Sequence, residues 1–252
     1  MKVLIIGAGN VATVLGRLIM AAGHDIVQVV SRSMDNAGVL ATELECSAAA
    51  NFGEMKKNAD LYIAAMSDAA LNEIKENISL GDKIIVHTAG SISKDVLKGV
   101  SANYGVMYPL QSLSKESKCA DLKIPLLIDG NNDYTLQLVL ELADSISPLV
   151  NVMTDDGRLK LHVAAVITNN FTNHLYSLAY DFCKKEGIDF EMLQPLIEET
   201  ALRLKKHPPT EMQTGPAKRK DIITLDKHLR VLNNHPALRS IYLKMTDSIM
   251  NG

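Results

Sequence analysis

The segment that most constrains this chain is Gly7-Ala8-Gly9-Asn10-Val11-Ala12, which fits G-x-G-x-x-A and stands between a short apolar run and an amphipathic one. Val3 to Ile6 reads as a buried strand. Val11, Val14, Leu15, Leu18 and Ile19 then recur at i, i+3, i+4, i+7 and i+8, the spacing of one buried helix face, and Gly23 supplies a stop just beyond. A strand, a glycine-rich turn and a helix in that order open a βαβ unit. In such a turn Gly7 makes the tight bend, Gly9 lets the backbone approach a pyrophosphate, and Ala12 lets the helix pack closely on the strand. Asn10 and Val11 carry the first helical amides, which favour an anion. An isolated glycine pair would read as a turn that binds nothing; the strand before and helix after this one favour a dinucleotide.

Further apolar runs at Ile26 to Val30, Leu61 to Met66, Ile84 to His87, Gly105 to Tyr108, Pro125 to Ile128 and Leu149 to Val152, with a weaker one at Ser47 to Ala50, alternate with helical patterns. That alternation predicts the α/β class, with a Rossmann-type, doubly wound and mostly parallel sheet. After Thr154-Asp155-Asp156 every segment reads as helix. The expected division is a dinucleotide-binding domain over residues 1–153 and a smaller all-helical domain over residues 154–252. In the helical half we expect a long helix from an Asp155 N-cap to Gly187 and a second from about Phe190 to Lys206. A Pro208-Pro209 break follows, then a helix start at Thr214-Gly215-Pro216 and a short terminal helix.

Composition excludes several other classes. The 26 basic and 29 acidic residues leave a net charge of -3, which supplies no field for a polyanion, so nucleic acid is not an expected partner. Cys46, Cys119 and Cys183 form no CxxC pair, which fits a reducing compartment and a cytoplasmic protein. The uncharged stretch Leu161 to Tyr180 is long enough to span a bilayer. It carries Thr168, Asn169, Asn170, Thr172, Asn173, His174 and Ser177, however, and reads as a buried helix rather than a membrane segment. No signal peptide is visible at the N-terminus. With no HExxH, no CxxC and no G-x-S-x-G, neither a metal nor a serine nucleophile is expected.

The end of the second strand bears on the choice of cofactor. An acidic residue there would accept the ribose hydroxyls of NAD, but the chain reads Ser31-Arg32-Ser33, a guanidinium between two hydroxyls that suits a 2′-phosphate. NADP is therefore the expected cofactor. The plainer reading is a surface arginine beside two turn serines. Met66 and Ser67, where a later strand opens into a small polar turn, leave room for the cofactor. His87, Thr88 and Gly90 follow the next strand along the same edge, toward the nicotinamide. His87 reads equally well as a loop histidine satisfying backbone groups.

The chain resembles the superfamily that includes pyrroline-5-carboxylate reductase, ketopantoate reductase and the deazaflavin-dependent NADP reductases. It is more closely similar to a bacterial group of NADP oxidoreductases that join such a domain to a helical domain of unknown function. The residues that carry this are GAGNVA at Gly7 to Ala12, HTAGS at His87 to Ser91, YPLQS at Tyr108 to Ser112, LHVAAVITNN at Leu161 to Asn170 and TGPAKRKD at Thr214 to Asp221. Tyr108 is a departure, because many relatives have a histidine before that proline; a proton-transfer role belonging to the histidine does not carry over. The resemblance implies NADP-linked reduction and dimer formation through the helical domain.

On a regular helix at 100° per residue, Asn169 and Asn173 fall within about 20° of His162, giving the long helix one polar face. His162 is the expected proton donor to a substrate carbonyl or imine, with Lys160 a rival acid and Asn169 an orienting group. Tyr108, Asn173, Thr214 and Gly215 are expected to hold the substrate, the last two through amides at a helix start. Packing against a neighbouring helix or a second subunit accounts for the polar face nearly as well, and capping accounts for Thr214. Arg219 and His228 are secondary candidates. The expected function is an NADP-dependent oxidoreductase acting on a small C=O or C=N substrate in a cleft beneath the helical domain, and the expected assembly is a homodimer. A non-catalytic NADP sensor and an S-adenosylmethionine enzyme are the competing readings.

Overall fold

The computed structural model describes residues 1–116 and 123–252, so Cys119 lies outside the described residues. Eight strands form one sheet: β1 (Lys2–Ile6), β2 (Asp25–Val30), β3 (Ser47–Ala49), β4 (Leu61–Ala64), β5 (Gly81–His87), β6 (Ser101–Pro109), β7 (Leu126–Gly130) and β8 (Val150–Val152). Their order is β3-β2-β1-β4-β5-β6-β7-β8, and all neighbours are parallel except β6 with β7. This is the doubly wound Rossmann-type sheet that the alternation predicts.

The central strands are apolar throughout because both faces are covered. Val3 and Ile5 enter one core with Val14, Leu15 and Ile19 of helix α1 (Asn10–Ala21) and Leu40 of α2 (Met34–Glu43). Leu4 and Ile6 point the other way, into a core with Leu71 of α3 (Asp68–Asn72) and Ile74 of α4 (Ile74–Asn77). Helix α5 (Asp133–Ile146) adds Val139, Leu142 and Ala143 to the first core and is capped by Asn132.

Strand order reverses between β1 and β4. Register aligns Ile6 with Val30 and Ala64, Ala64 with His87, and His87 with Val106. The turns that follow these carboxyl ends therefore share one edge at the topological switch, where doubly wound sheets bind their ligands.

The chain forms two compact units, Met1–Ile167 and Thr168–Gly252. The run read as one long helix is α6 (Asp155–Ala165), a π-helical segment (Val166–Phe171) and α7 (Thr172–Glu186). Phase is lost across a π segment, whose hydrogen bonds span five residues rather than four, so counting at 100° per residue does not carry from His162 to Asn173. The N-cap is Thr154, whose hydroxyl accepts from the Gly157 amide, and not Asp155.

In the second unit, α7 ends in left-handed Gly187 at φ +69°. It is followed by α8 (Gln194–Arg203), α9 (Pro209–Met212), α10 (Ile222–Val231) and α11 (Pro236–Asn251). The terminal helix has 16 residues and is not short. Thr214-Gly215-Pro216 is not a helix start: Gly215 at φ +99° opens a turn that closes at Lys220 at φ +56°. Helix α10 begins after Asp221, which caps the Thr224 amide. His235 ties α11 to α7 through Glu186 at 2.7 Å and an edge contact with Phe182.

Candidate functional site

At the first βα turn Gly7 has φ +119°, and a Cβ there would lie 2.0 Å from the Ala65 carbonyl oxygen, so only glycine fits. Gly9 is different. A Cβ on it would meet no protein atom within 4 Å, so packing within the chain does not require glycine there. Gly9 is the N-cap of α1 without a side-chain cap, and the first turn holds no acidic residue, which leaves the helix amides and their positive end unopposed. Ala12 is wholly buried, as close helix packing requires.

This turn forms one wall of a cleft of about 780 Å³. Of the residues expected to hold a cofactor, Gly7, Gly9, Asn10, Val11, Ser31, Arg32, Met66, Ser67 and Thr88 line it. Ala12, Ser33, His87 and Gly90 do not. The Ser33 hydroxyl instead caps α2 by accepting from Asn36 N at 3.3 Å. Arg32 is exposed on the cleft wall. The cleft is also lined by Asn51 and Phe52, which the sequence reading passed over; Asn51 caps the short turn that presents Phe52.

His87 is buried beneath the edge. Its Nδ1 accepts from the Ala89 amide at 3.1 Å, and its Nε2 finds no hydrogen-bond partner. Burial, and after it the nearby Arg158 charge, push its pKa down to about 4, so the ring is neutral at pH 7. Its role here is to hold the loop that follows β5.

That loop leads to the second cluster. The Tyr108 hydroxyl, near the end of β6, lies 3.0 Å from Nδ1 of His162 on α6, and the two rings meet edge to face at 5.9 Å. Gly90 fits between them: a Cβ there would stand 2.7 Å from His162 Nδ1 and 2.8 Å from Tyr108 Cζ. Burial raises the Tyr108 pKa, and the positive charge of Arg158 opposes that rise in part, so the phenol keeps its proton at neutral pH. Thr88 and Ala89 of the same loop line the cleft, so consecutive residues of one loop meet the cleft and the Tyr108–His162 pair.

The other sequence candidates do not line this cleft. Lys160 is exposed and paired with Asp156 at 2.6 Å. Asn169, Asn173, Thr214 and Gly215 belong to the second unit, where Asn173 and Thr214 are exposed. Arg219 is exposed, and His228 pairs with the Tyr242 hydroxyl at 2.7 Å. The sequence reading missed Arg158, although it stands four residues before His162 on one helix, a spacing that places both on one face.

A doubly wound sheet with a glycine-cradled cleft at its switch point defines a dinucleotide-binding protein of the Rossmann class. Residues 2–90 match the family described as NADP oxidoreductase, coenzyme F420-dependent, and residues 124–249 match the domain of unknown function DUF2520. A solved structure of a Bacteroides fragilis protein assigned as an NADP oxidoreductase is 36% identical. It aligns over 100% of this chain and 98% of its own, with a TM-score of 0.92. The chain belongs to this family of oxidoreductases. Pyrroline-5-carboxylate reductase from Streptococcus pyogenes shares the fold at 17% identity and a TM-score of 0.64, over 100% of this chain and 99% of its own. An imine reductase from Myxococcus stipitatus, solved with NADP+, shares it at 13% identity and 0.64, over 100% of this chain and 92% of its own. No curated protein matches the chain. Among the described residues no helix is long and apolar enough to cross a membrane.

Proposed function

We propose that this protein is an NADPH-dependent reductase of a small C=O or C=N compound, with the Tyr108–His162 pair as its proton source. The observation that carries the reading is the placement of that pair against Gly90, at the end of a loop whose Thr88 and Ala89 line the glycine-cradled cleft. The cleft residues fit a dinucleotide. The open face of Gly9 and the uncapped amides of α1 suit a pyrophosphate, and Arg32, between Ser31 and Ser33, suits a 2′-phosphate. Bound there, NADPH supplies the hydride.

The chain's own residues then have distinct tasks. His162 gives a proton to the substrate oxygen or nitrogen as negative charge develops, and is recharged from solvent. The Tyr108 phenol fixes the imidazole through Nδ1, which leaves Nε2 as the working nitrogen. Solved structures that share the fold include, by their names, a pyrroline-5-carboxylate reductase and an imine reductase, which favours a C=N substrate for the first screen. NADPH oxidation in the presence of cyclic imines and small ketones tests the reading: turnover in the wild type that falls by at least about a hundredfold in His162→Ala supports it. Turnover equal in both proteins removes His162 from the mechanism.

The same reading includes a homodimer through residues 168–252. Within that stretch the buried apolar side chains are Cys183, Ala217, Leu225 and Leu232, whereas Phe171, Leu196 and Ile223 are 59%, 65% and 73% exposed. A monomeric mass by light scattering at micromolar concentration contradicts it.

A further inference from the structure

Helix α6 carries a second functional candidate one turn before His162. Arg158 is 1% exposed and heads the wholly buried side chains in size. A buried guanidinium is a poor device for stability, since an apolar residue of similar volume often serves as well or better. Its contacts indicate a different use. Nη2 donates to Asp155 Oδ1 at 2.7 Å and to the Ile92 carbonyl, while Nε and Nη1 have no partner. Asp155 in turn accepts from the Ser93 hydroxyl at 2.5 Å and from the Lys94 amide at 3.2 Å. Burial works against the Asp155 charge, but Ser93, Arg158 and the Lys94 amide together hold its carboxyl below the ordinary value, so the clamp is ionised at neutral pH.

Apart from the Arg158–Asp155 pair itself, these bonds fall on residues 92–94, the far end of the loop that begins at Thr88. The near end lines the cleft, and the middle, Gly90, lies against His162 and Tyr108. One helix thus holds both the proton donor and the side chain that anchors the loop facing it.

We propose that Arg158 is a positioning residue: with Asp155 it pins residues 92–94, the far end of the loop, to α6 and so fixes Gly90 against the Tyr108–His162 pair. This rests on the reductase reading for its catalytic meaning, since the pair is worth positioning only if it delivers a proton. The Arg158 charge acts on both neighbouring rings, opposing proton uptake by His87 and easing ionisation of Tyr108.

The test uses full-length protein labelled with 15N-histidine, read with and without NADPH, beside amide exchange of the loop. In Arg158→Met the His162 Nδ1 signal is expected to lose its hydrogen-bonded position and the amides of residues 92–94 to exchange about tenfold faster. Under the same substitution the His87 titration moves up from about 4. Arg158→Lys keeps the charge and one of the two contacts, so it is expected to keep the His87 titration low and to restore part of the His162 signal. NADPH affinity is expected to stay within about twofold, because Arg158 does not line the cleft. A His162 signal unchanged in Arg158→Met overturns the proposal, even if the loop exchanges faster. Should that variant fail to fold, Arg158→Lys and Asp155→Asn decide by the same signal, and a wild-type His162 signal in both overturns it. If the wild type binds no NADPH, the reductase reading fails while the His162 signal still reports on Arg158.

Discussion

The hydroxyl of Tyr108 stands 3.0 Å from Nδ1 of His162, a contact that joins strand β6 to helix α6 across 54 residues of sequence and closes over Gly90. It brings an imidazole, a phenol and a loop whose Thr88 and Ala89 line the cleft into one place. Tyr108→Phe removes the hydroxyl while keeping the ring. The expected result is a fall in kcat of about tenfold or more with NADPH affinity unchanged, checked by steady-state kinetics on a reducible imine or ketone. A fall in NADPH affinity alone would place Tyr108 with the cofactor instead.

Arg32 should discriminate between dinucleotides. A charge-assisted hydrogen bond to phosphate contributes about 1.5–3 kcal/mol. Arg32→Ala is therefore expected to weaken NADPH binding by roughly 10- to 100-fold and NADH binding by little. Calorimetric titration of both dinucleotides measures the difference, and equal losses would remove the 2′-phosphate assignment.

Gly7 and Gly9 should fail in different ways. Gly7→Ala places a methyl 2.0 Å from the Ala65 carbonyl at φ +119°, so it should lose more than about 2 kcal/mol of stability along with binding. Gly9→Ala meets no protein atom within 4 Å. It should keep its urea midpoint and lose dinucleotide affinity, because the added methyl stands where the pyrophosphate backbone approach is needed. A Gly9→Ala protein that binds NADPH as the wild type does would contradict the cradle.

His87 gives the fold a pH dependence of known sign. Its folded pKa, about 4, lies below the ordinary 6.5, so the unfolded chain binds a proton that the folded one refuses. Stability from this group is complete above pH 6.5 and is lost as pH falls toward 4, by up to about 3 kcal/mol. Urea unfolding at pH 7 and pH 5 should show a drop in the wild type that shrinks in His87→Leu. An equal drop in both proteins would assign the effect to other groups.

The sheet was legible in the sequence because strands buried on both faces are continuous apolar runs, and all eight runs became strands. The first turn was legible because its G-x-G-x-x-A spacing stands between an apolar run and an amphipathic one, whereas the clash that makes Gly7 obligatory comes from the distant Ala65 and shows only in the fold. The second half was harder. Nothing in Val166 to Phe171 marks a π segment, so the phase of Asn173 relative to His162 could not be counted. Thr154 and Asp155 are both good caps one residue apart, and the choice depended on Arg158, Ser93 and Lys94, which lie close to Asp155 only once the chain has folded. Pro216 looked like a first helical residue, but positive φ at Gly215 and Lys220 delays the helix to Ile222. His87 showed its edge of the sheet but not its side, and it faces the interior.

The most direct test is a fluorescence titration of the purified wild-type protein with NADPH and, in parallel, with NADH. Saturable binding of NADPH is expected, with NADH at least about tenfold weaker, in keeping with the phosphate contact proposed for Arg32. Binding of neither dinucleotide would contradict it, and would leave the Tyr108–His162 pair without a hydride to accompany.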